Sequence, residues 1–294
     1  MGRQVAGADQ VLLPVLADLP GYVIWRAHAK VTAALESVLP ENVDIHGYAA
    51  LVALGDGVPR SQQALARTVS VSRTTIMRVA ADLAERGLVQ RVRNPGDRRS
   101  YLLTRTAHGA LAARTWERHV DELEEAVTSG LTARQRGDLH TLLLKVVGPE
   151  LAADTPQALR DSIGFLTTRL HLPMRTDFSA ALAPLGLEPP DVGLLCALES
   201  TGPVSQSELA RVFAVSGAHM VQLVDRLEAR GVLARRRLET DRRAQVLDVL
   251  PGADDLRAQA RQLADTVVSE RLHALTPAQR ERLLSLLRRV ITTG

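Results

Sequence analysis

The sequence predicts a mainly α fold with small β-hairpin wings, in which two winged helix-turn-helix lobes are joined by a helical bundle of the dimerisation type. Three observations carry this. Apolar residues recur at helical spacing through most of the chain. A short capped helix, a tight turn, a longer capped helix and an arginine-rich hairpin follow one another directly. That series then occurs a second time: residues 61–99 align without a gap on residues 205–243, 144 positions later, with 15 identities in 39 positions when the two segments are paired residue by residue.

In the first copy, Leu16, Val23, Ala27, Val31 and Leu35 mark a helix over about 15–38 that stops near Pro40. Asp44 is a suitable N-cap for a second helix running through Leu51 and Leu54 to the break at Gly55-Asp56-Gly57. Ser61 starts a short helix to about Thr68. Ser72 caps a longer one that ends at Glu85-Arg86, with Gly87 as the residue that leaves the helix. Leu88 to Arg93 reads as a strand, Asn94-Pro95-Gly96-Asp97 as a turn, and Ser100 to Leu103 as the returning strand. Thr104 can cap a long helix to about Thr128, and Thr132 with Gln135 forms a capping-box pattern opening a last helix to about Val147. The second half repeats the plan, down to Thr276 and Gln279 in the place of Thr132 and Gln135. Near its start the offset becomes 143, pairing Gly21-Tyr22, Arg26 and His28 with Gly164-Phe165, Arg169 and His171. The domain reading is a first module over 1–148, a linker over 149–156 and a second module over 157–294. Eight linker residues reach at most about 25–30 Å, so the modules must lie side by side.

Composition narrows the function classes. With 46% hydrophobic and 23% charged residues the chain reads as soluble and globular, and its polar start and lack of a spanning apolar run lead us to expect a cytoplasmic protein with no membrane contact. The single cysteine, Cys196, permits no internal disulfide, and its apolar neighbours Val192, Leu195 and Leu198 place it inside a helix face. No His, Cys or acid spacing suits a metal, and no Gly-x-Ser-x-Gly, Gly-x-Gly-x-x-Gly or phosphate loop is present, so neither an enzyme nor a cofactor is expected. The acidic run Asp121 to Glu125 reads as a solvated face beside inward Leu123 and Val127. Net charge is only +3, but residues 60–105 contain ten arginines against three acids and residues 204–249 eight against six. Basic charge concentrated on the two repeated segments points to nucleic acid.

The second helix of a helix-turn-helix fits the major groove, and its N-terminal side chains reach base edges. Here that helix begins at Ser72, with Arg73, Thr74, Thr75 and Arg78 on its polar side and Ile76, Val79, Ala80 and Leu83 on the other; Arg73 and Arg78 are the candidates for base contact. In the hairpin Arg91 and Arg93 share a face. At its tip, Asp97 stands two residues before Arg99 and can hold that guanidinium extended for a narrow minor groove, while Arg98 suits phosphate. The helix starts at Ser61-Gln62 and Ser72 add backbone donors for phosphate oxygens.

With Leu65-Ala66, Val71-Ser72, Leu83, Glu85-Arg86-Gly87-Leu88-Val89, Asp97-Arg98-Arg99 and Leu103-Thr104 with Gly109, the chain resembles the MarR family of bacterial transcription regulators. In the second copy the matching residues are Leu209-Ala210, Val215-Ser216, the stretch Leu227 to Leu233, and Asp241-Arg242-Arg243. The resemblance implies winged-helix lobes that bind double-stranded DNA as a dimer, with Arg99 and Arg243 as minor-groove arginines paired with Asp97 and Asp241. It extends the candidate DNA contacts to Ser205, Gln206, Ser216, His219, Gln222, Arg235, Arg237 and Arg242. It also implies a small aromatic or anionic effector between bundle and lobe, for which Tyr22, Trp25, Arg26, His28 and His46, with Phe165, Arg169 and His171, are the candidates. The copies depart from each other where bases are read: Gly217, Ala218, His219 and Gln222 stand where the first copy has Arg73, Thr74, Thr75 and Arg78. The expectation is therefore a ligand-responsive repressor, monomeric as a chain, acting as an internal pseudo-dimer on an asymmetric operator. Two alternatives stay open: a second module devoted to pairing and ligand sensing, and a winged-helix adaptor that binds protein.

Overall fold

The computed structural model describes residues 14–213, 215–237 and 245–292, with the backbone only at Arg98. The first half runs α1 (Pro14–Ala17), α2 (Pro20–Val38), α3 (Ile45–Ala53), α4 (Gln62–Thr68), α5 (Arg73–Glu85), β1 (Val89–Asn94), β2 (Asp97–Arg105), α6 (Ala107–Thr128) and α7 (Ala133–Val147). The second runs α8 (Gln157–Asp161), α9 (Ile163–Leu182), α10 (Pro189–Thr201), β3 (Val204–Ser205), α11 (Gln206–Val212), α12 (Gly217–Ala229), β4 (Leu233–Arg237), β5 (Gln245–Val249), α13 (Ala253–Arg271) and α14 (Pro277–Thr292). The two series match element for element, apart from β3, whose place in the first half is taken by a single bridge between Arg60 and Leu103.

Local chemistry sets most boundaries. The hydroxyls of Ser61, Ser72, Ser205 and Ser216 accept from the amides of Ala64, Thr75, Glu208 and His219, so both helix-turn-helix pairs are capped alike. Gly87 and Gly231 take φ of 67° and 66°, the left-handed turn that releases the chain from α5 and α12 into the wings. Thr132 with Gln135 closes a complete capping box. Two boundaries differ from expectation. The first helix is broken at Leu19, because Pro20 cannot donate its amide and opens a new helix instead. Thr106, not Thr104, caps α6: its hydroxyl accepts from Gly109, while Thr104 remains in the longer strand β2.

Three apolar clusters hold the molecule. The bundle core takes residues from α2, α6 and α7 of one half and α9, α13 and α14 of the other, including Leu139, Leu142 and Leu143 with Leu283, Leu286 and Leu287. Each lobe has its own core, and each is completed by the other half. Leu16 of α1 and Tyr22 of α2 are buried in the second lobe, while Leu159 of α8 is buried in the first, with Phe165 of α9 packed against it. Leu16 and Leu159 are repeat partners at the offset of 143. The halves thus exchange their first helices, and neither closes its own lobe.

Candidate nucleic-acid interface and the cavity behind it

In the first lobe, α5 buries Ile76, Val79, Ala80 and Leu83 and leaves Arg73 and Thr74 exposed and Thr75 half-buried, its hydroxyl 2.8 Å from that of Ser72. Arg78 is also exposed but reaches back to Asp44 at 3.2 Å. Ser61 and Gln62 lie half-buried at the start of α4. Arg91 and Arg93 stand exposed on one face of β1, opposite Leu103 and Tyr101. At the wing tip Asp97 accepts from the backbone amide of Arg99 at 3.0 Å, so the acid shapes the turn instead of gripping the guanidinium. Among the described residues no carboxylate lies within ion-pair distance of Arg73, Arg91, Arg93 or Arg99. This edge presents free cationic groups at a helix N-terminus and on a wing, a geometry suited to phosphate and base edges.

The second lobe repeats the order of elements, with β3 added, but has different charge partners. The edge of α12 that matches Arg73, Thr74, Thr75 and Arg78 is Gly217, Ala218, His219 and Gln222, all exposed, with Ser205 and Ser216 as caps. Arg235, the partner of Arg91, is held down. It pairs with Asp225 at 2.5 Å and with Glu228, and donates to Gln206 at 3.3 Å. Arg236 pairs with Asp248, while Arg237 is exposed. Asp241, Arg242 and Arg243 lie outside the described residues.

The candidates for effector contact separate into two groups. Tyr22, Trp25 and His171 line a cavity of about 480 Å³ between the bundle and the second lobe. Its walls come from α2, α9, α10, α12 and α13, and His219, Met220 and Leu223 of the reading helix belong to them. A Cβ at Gly21 would meet the Phe178 ring at 2.7 Å, so that ring would have to shift. Tyr22 and Trp25 rings lie 5.5 Å apart. The other five candidates do not line it. Arg26 is buried and donates to the Val212 carbonyl at 3.4 Å, as does the Tyr22 hydroxyl at 3.2 Å. Arg169 does the same in the other half, donating at 2.9 Å to the carbonyl of Ser70, a residue held at a left-handed φ of 55°. The arginine kept in both copies thus ties each exchanged helix to the opposite helix-turn-helix. His28 stacks on His171 with centroids 4.3 Å apart, Phe165 packs between two cores, and His46 sits in the capped first turn of α3. Burial, with the charge of Arg175 nearby, keeps His28 below the usual imidazole range; for His171, burial and then His28 and Arg175 lower it to about 3.

Several positions that hold these helices have long-range partners that the sequence alone does not show. Asp191 is fully buried and holds Arg226 of α12 at 2.6 Å, with burial pushing its carboxyl up against that ion pair. Arg86 and Arg230, shared by the repeats, donate to backbone carbonyls of Asn42 and of Leu185 and Gly186, fixing the ends of the reading helices. Glu124 corrects the reading of the acidic run. It does not face solvent but accepts from the Ser162 hydroxyl and, at 3.0 Å each, from the amides of Ile163 and Gly164 at the start of α9.

A family model described as MarR family matches residues 46–100 and 185–244, covering both helix-turn-helix regions. A putative transcriptional regulatory protein for the hcr operon of Thauera aromatica is 31% identical over 137 residues, which is 47% of this chain and 78% of that relative. An HTH-type transcriptional repressor of Mycobacterium tuberculosis is 36% identical over 85 residues, 29% of this chain and 57% of the relative. Among solved structures, a probable transcriptional regulator from Pseudomonas aeruginosa is 29% identical and covers 45% of this chain and 98% of its own, with a TM-score of 0.41. The chain belongs to the MarR family and carries the family's winged-helix module twice in tandem.

Proposed function

We propose that the chain is a sequence-specific, double-stranded DNA-binding repressor that acts as a covalent pseudo-dimer on an operator with two unlike half-sites. The observation that carries this is the difference between two corresponding helix-and-wing edges. One has Arg73, Arg91 and Arg93 exposed and unpaired among the described residues; the other has Gly217 and Ala218 on the helix and Arg235 neutralised by Asp225 and Glu228. The first module therefore reads bases, and the second contacts DNA mainly through its helix caps and wing. The candidate minor-groove arginines are Arg99 and Arg243, with Asp97 and Asp241 beside them. The exchanged helices favour modules bounded at 148 and 157 that cannot act separately, so one chain supplies both halves of the dimer without a second copy.

The effector reading rests on the cavity between the bundle and the second lobe. A molecule filling it touches the bundle through Tyr22, Trp25 and His171 and the reading helix through His219 and Met220. An apolar or aromatic compound with an acidic group suits this lining, which includes Arg175 and Arg261. Binding one lobe spacing better than the other, it shifts the population away from the DNA-competent arrangement and lifts repression.

The test is binding to a selected duplex by the intact protein and three variants. Affinity should fall steeply with salt as phosphate-bound counterions return. Arg73→Ala should weaken binding by about 10- to 100-fold, the loss of one good base contact of about 1–3 kcal/mol. Arg99→Ala should cost more than Arg243→Ala. A flat salt response with no preferred duplex would instead favour a protein-binding adaptor.

A further inference from the structure

Repeat partners allow the cavity of the second half to be compared with the equivalent place in the first. The cavity is walled by Gly21, Tyr22, Pro189, Ala264 and Val268, among others. At the repeat offsets, 143 for the first two and 144 for the rest, their partners are Gly164, Phe165, Ile45, Val120 and Glu124. Three of those exchanges put a larger side chain in the first half. Ile45 and Phe165 pack against both the bundle core and the first lobe's core, and Val120 packs against the lobe core, so apolar contact is continuous there. Glu124, at the repeat position of Val268, carries a longer side chain whose carboxylate takes up the Ser162 hydroxyl and the first amides of α9. A Cβ on Gly164 would meet that carboxylate at 3.1 Å. The corresponding start of α2 has Leu19 as its N-cap residue, with no side-chain oxygen to cap it.

A second set of contacts fixes the first lobe in place. Asp154 accepts from the Thr68 hydroxyl at 2.7 Å and from Arg60 at 3.2 Å, and the Thr155 hydroxyl donates to the Thr68 carbonyl at 2.9 Å. The second lobe has Val204 and Val212 in place of Arg60 and Thr68, which cannot make these bonds.

We infer that the molecule takes one effector per chain, in the second half alone, because the equivalent place in the first half is filled by Ile45, Val120 and Glu124, each larger than its partner in the cavity wall. The inference rests on the effector reading given above and makes it directional. The first lobe stays clamped to the bundle in both states, and the second lobe is the part that responds. The two functions that a symmetric dimer must duplicate are divided here between the copies: base reading is concentrated on one lobe and sensing on the other.

The test uses the full chain and 1-anilinonaphthalene-8-sulfonate, an aromatic anion whose fluorescence rises in apolar cavities. Titration at protein concentrations well above the dissociation constant should give one bound probe per chain. Ala264→Trp, which fills the cavity, should reduce binding at least tenfold, and so should Ser179→Trp at its mouth, where the wild-type side chain is exposed and folding is not at risk. Two probes per chain, or one that both variants leave in place, would overturn the single-site inference while leaving an effector role intact. No binding at all would remove the effector reading and the inference with it. Independently of any ligand, Glu124→Leu should speed hydrogen exchange at the amides of Ile163 and Gly164 by at least tenfold; unchanged exchange would mean that Glu124 does not occupy that site.

Discussion

Leu16 and Leu159 hold the same place in the two copies, each buried in the lobe of the other half. Removing either side chain takes away both transfer energy and packing, so Leu159→Ala should cost about 2–5 kcal/mol in denaturant unfolding. The histidine pair gives a pH dependence of definite sign. With the folded His171 near 3 against 6.5 for the free side chain, acid between those values protonates the unfolded chain while the folded chain resists. Stability should therefore fall as pH drops through that window, and His171→Gln should flatten this part of the Tm profile. Asp56 contributes lower down. Its hydrogen bonds from Arg60 hold it at about 2, so its share of stability is present above the ordinary carboxylate range and disappears as pH falls toward that value. Because Asp56 is half exposed, that share is small.

At the scale of elements, the caps were readable because they are local. Ser61, Ser72, Thr132 and Gly87 do their work within three residues of where they stand, and each boundary they mark is within a residue or two of expectation. The failures have tertiary causes or come from competing local choices. Pro20 splits a periodic apolar stretch that otherwise reads as one helix. Thr104 and Thr106 are equally good caps on paper, and pairing of Thr104 with Gln90 keeps it in the sheet. Glu124 looked like one more solvated acid because its partners lie some forty residues away on another helix. Arg26 and Arg169 were recognisable as a repeated pair, but their target, a backbone carbonyl in the opposite lobe, carries no side-chain signature. The ion pairs of Arg235 belong to this scale too. Asp225→Asn with Glu228→Gln should release that arginine toward the wing face and raise DNA affinity several-fold; a gel-shift titration against the parent chain measures it.

For the whole molecule, the exchange of first helices makes each half depend on the other. A separate 1–148 fragment would expose Leu16, Tyr22 and the bundle face of α7, and burial of such surface is the main force in folding. It should aggregate or self-associate, while the intact chain should run as a monomer near 31.8 kDa in light scattering at micromolar concentration. Fusion also frees the copies from symmetry, and they differ along the exposed edges of α5 and α12 and where bundle and lobe meet. In the proposed function one chain is a dimer with unlike halves. Selection of bound duplexes from random DNA by the intact protein tests it most directly. A single recurrent pattern is expected, with one well-specified half-site and one relaxed half-site about a helical turn away. A palindrome with equal information in both halves would contradict it.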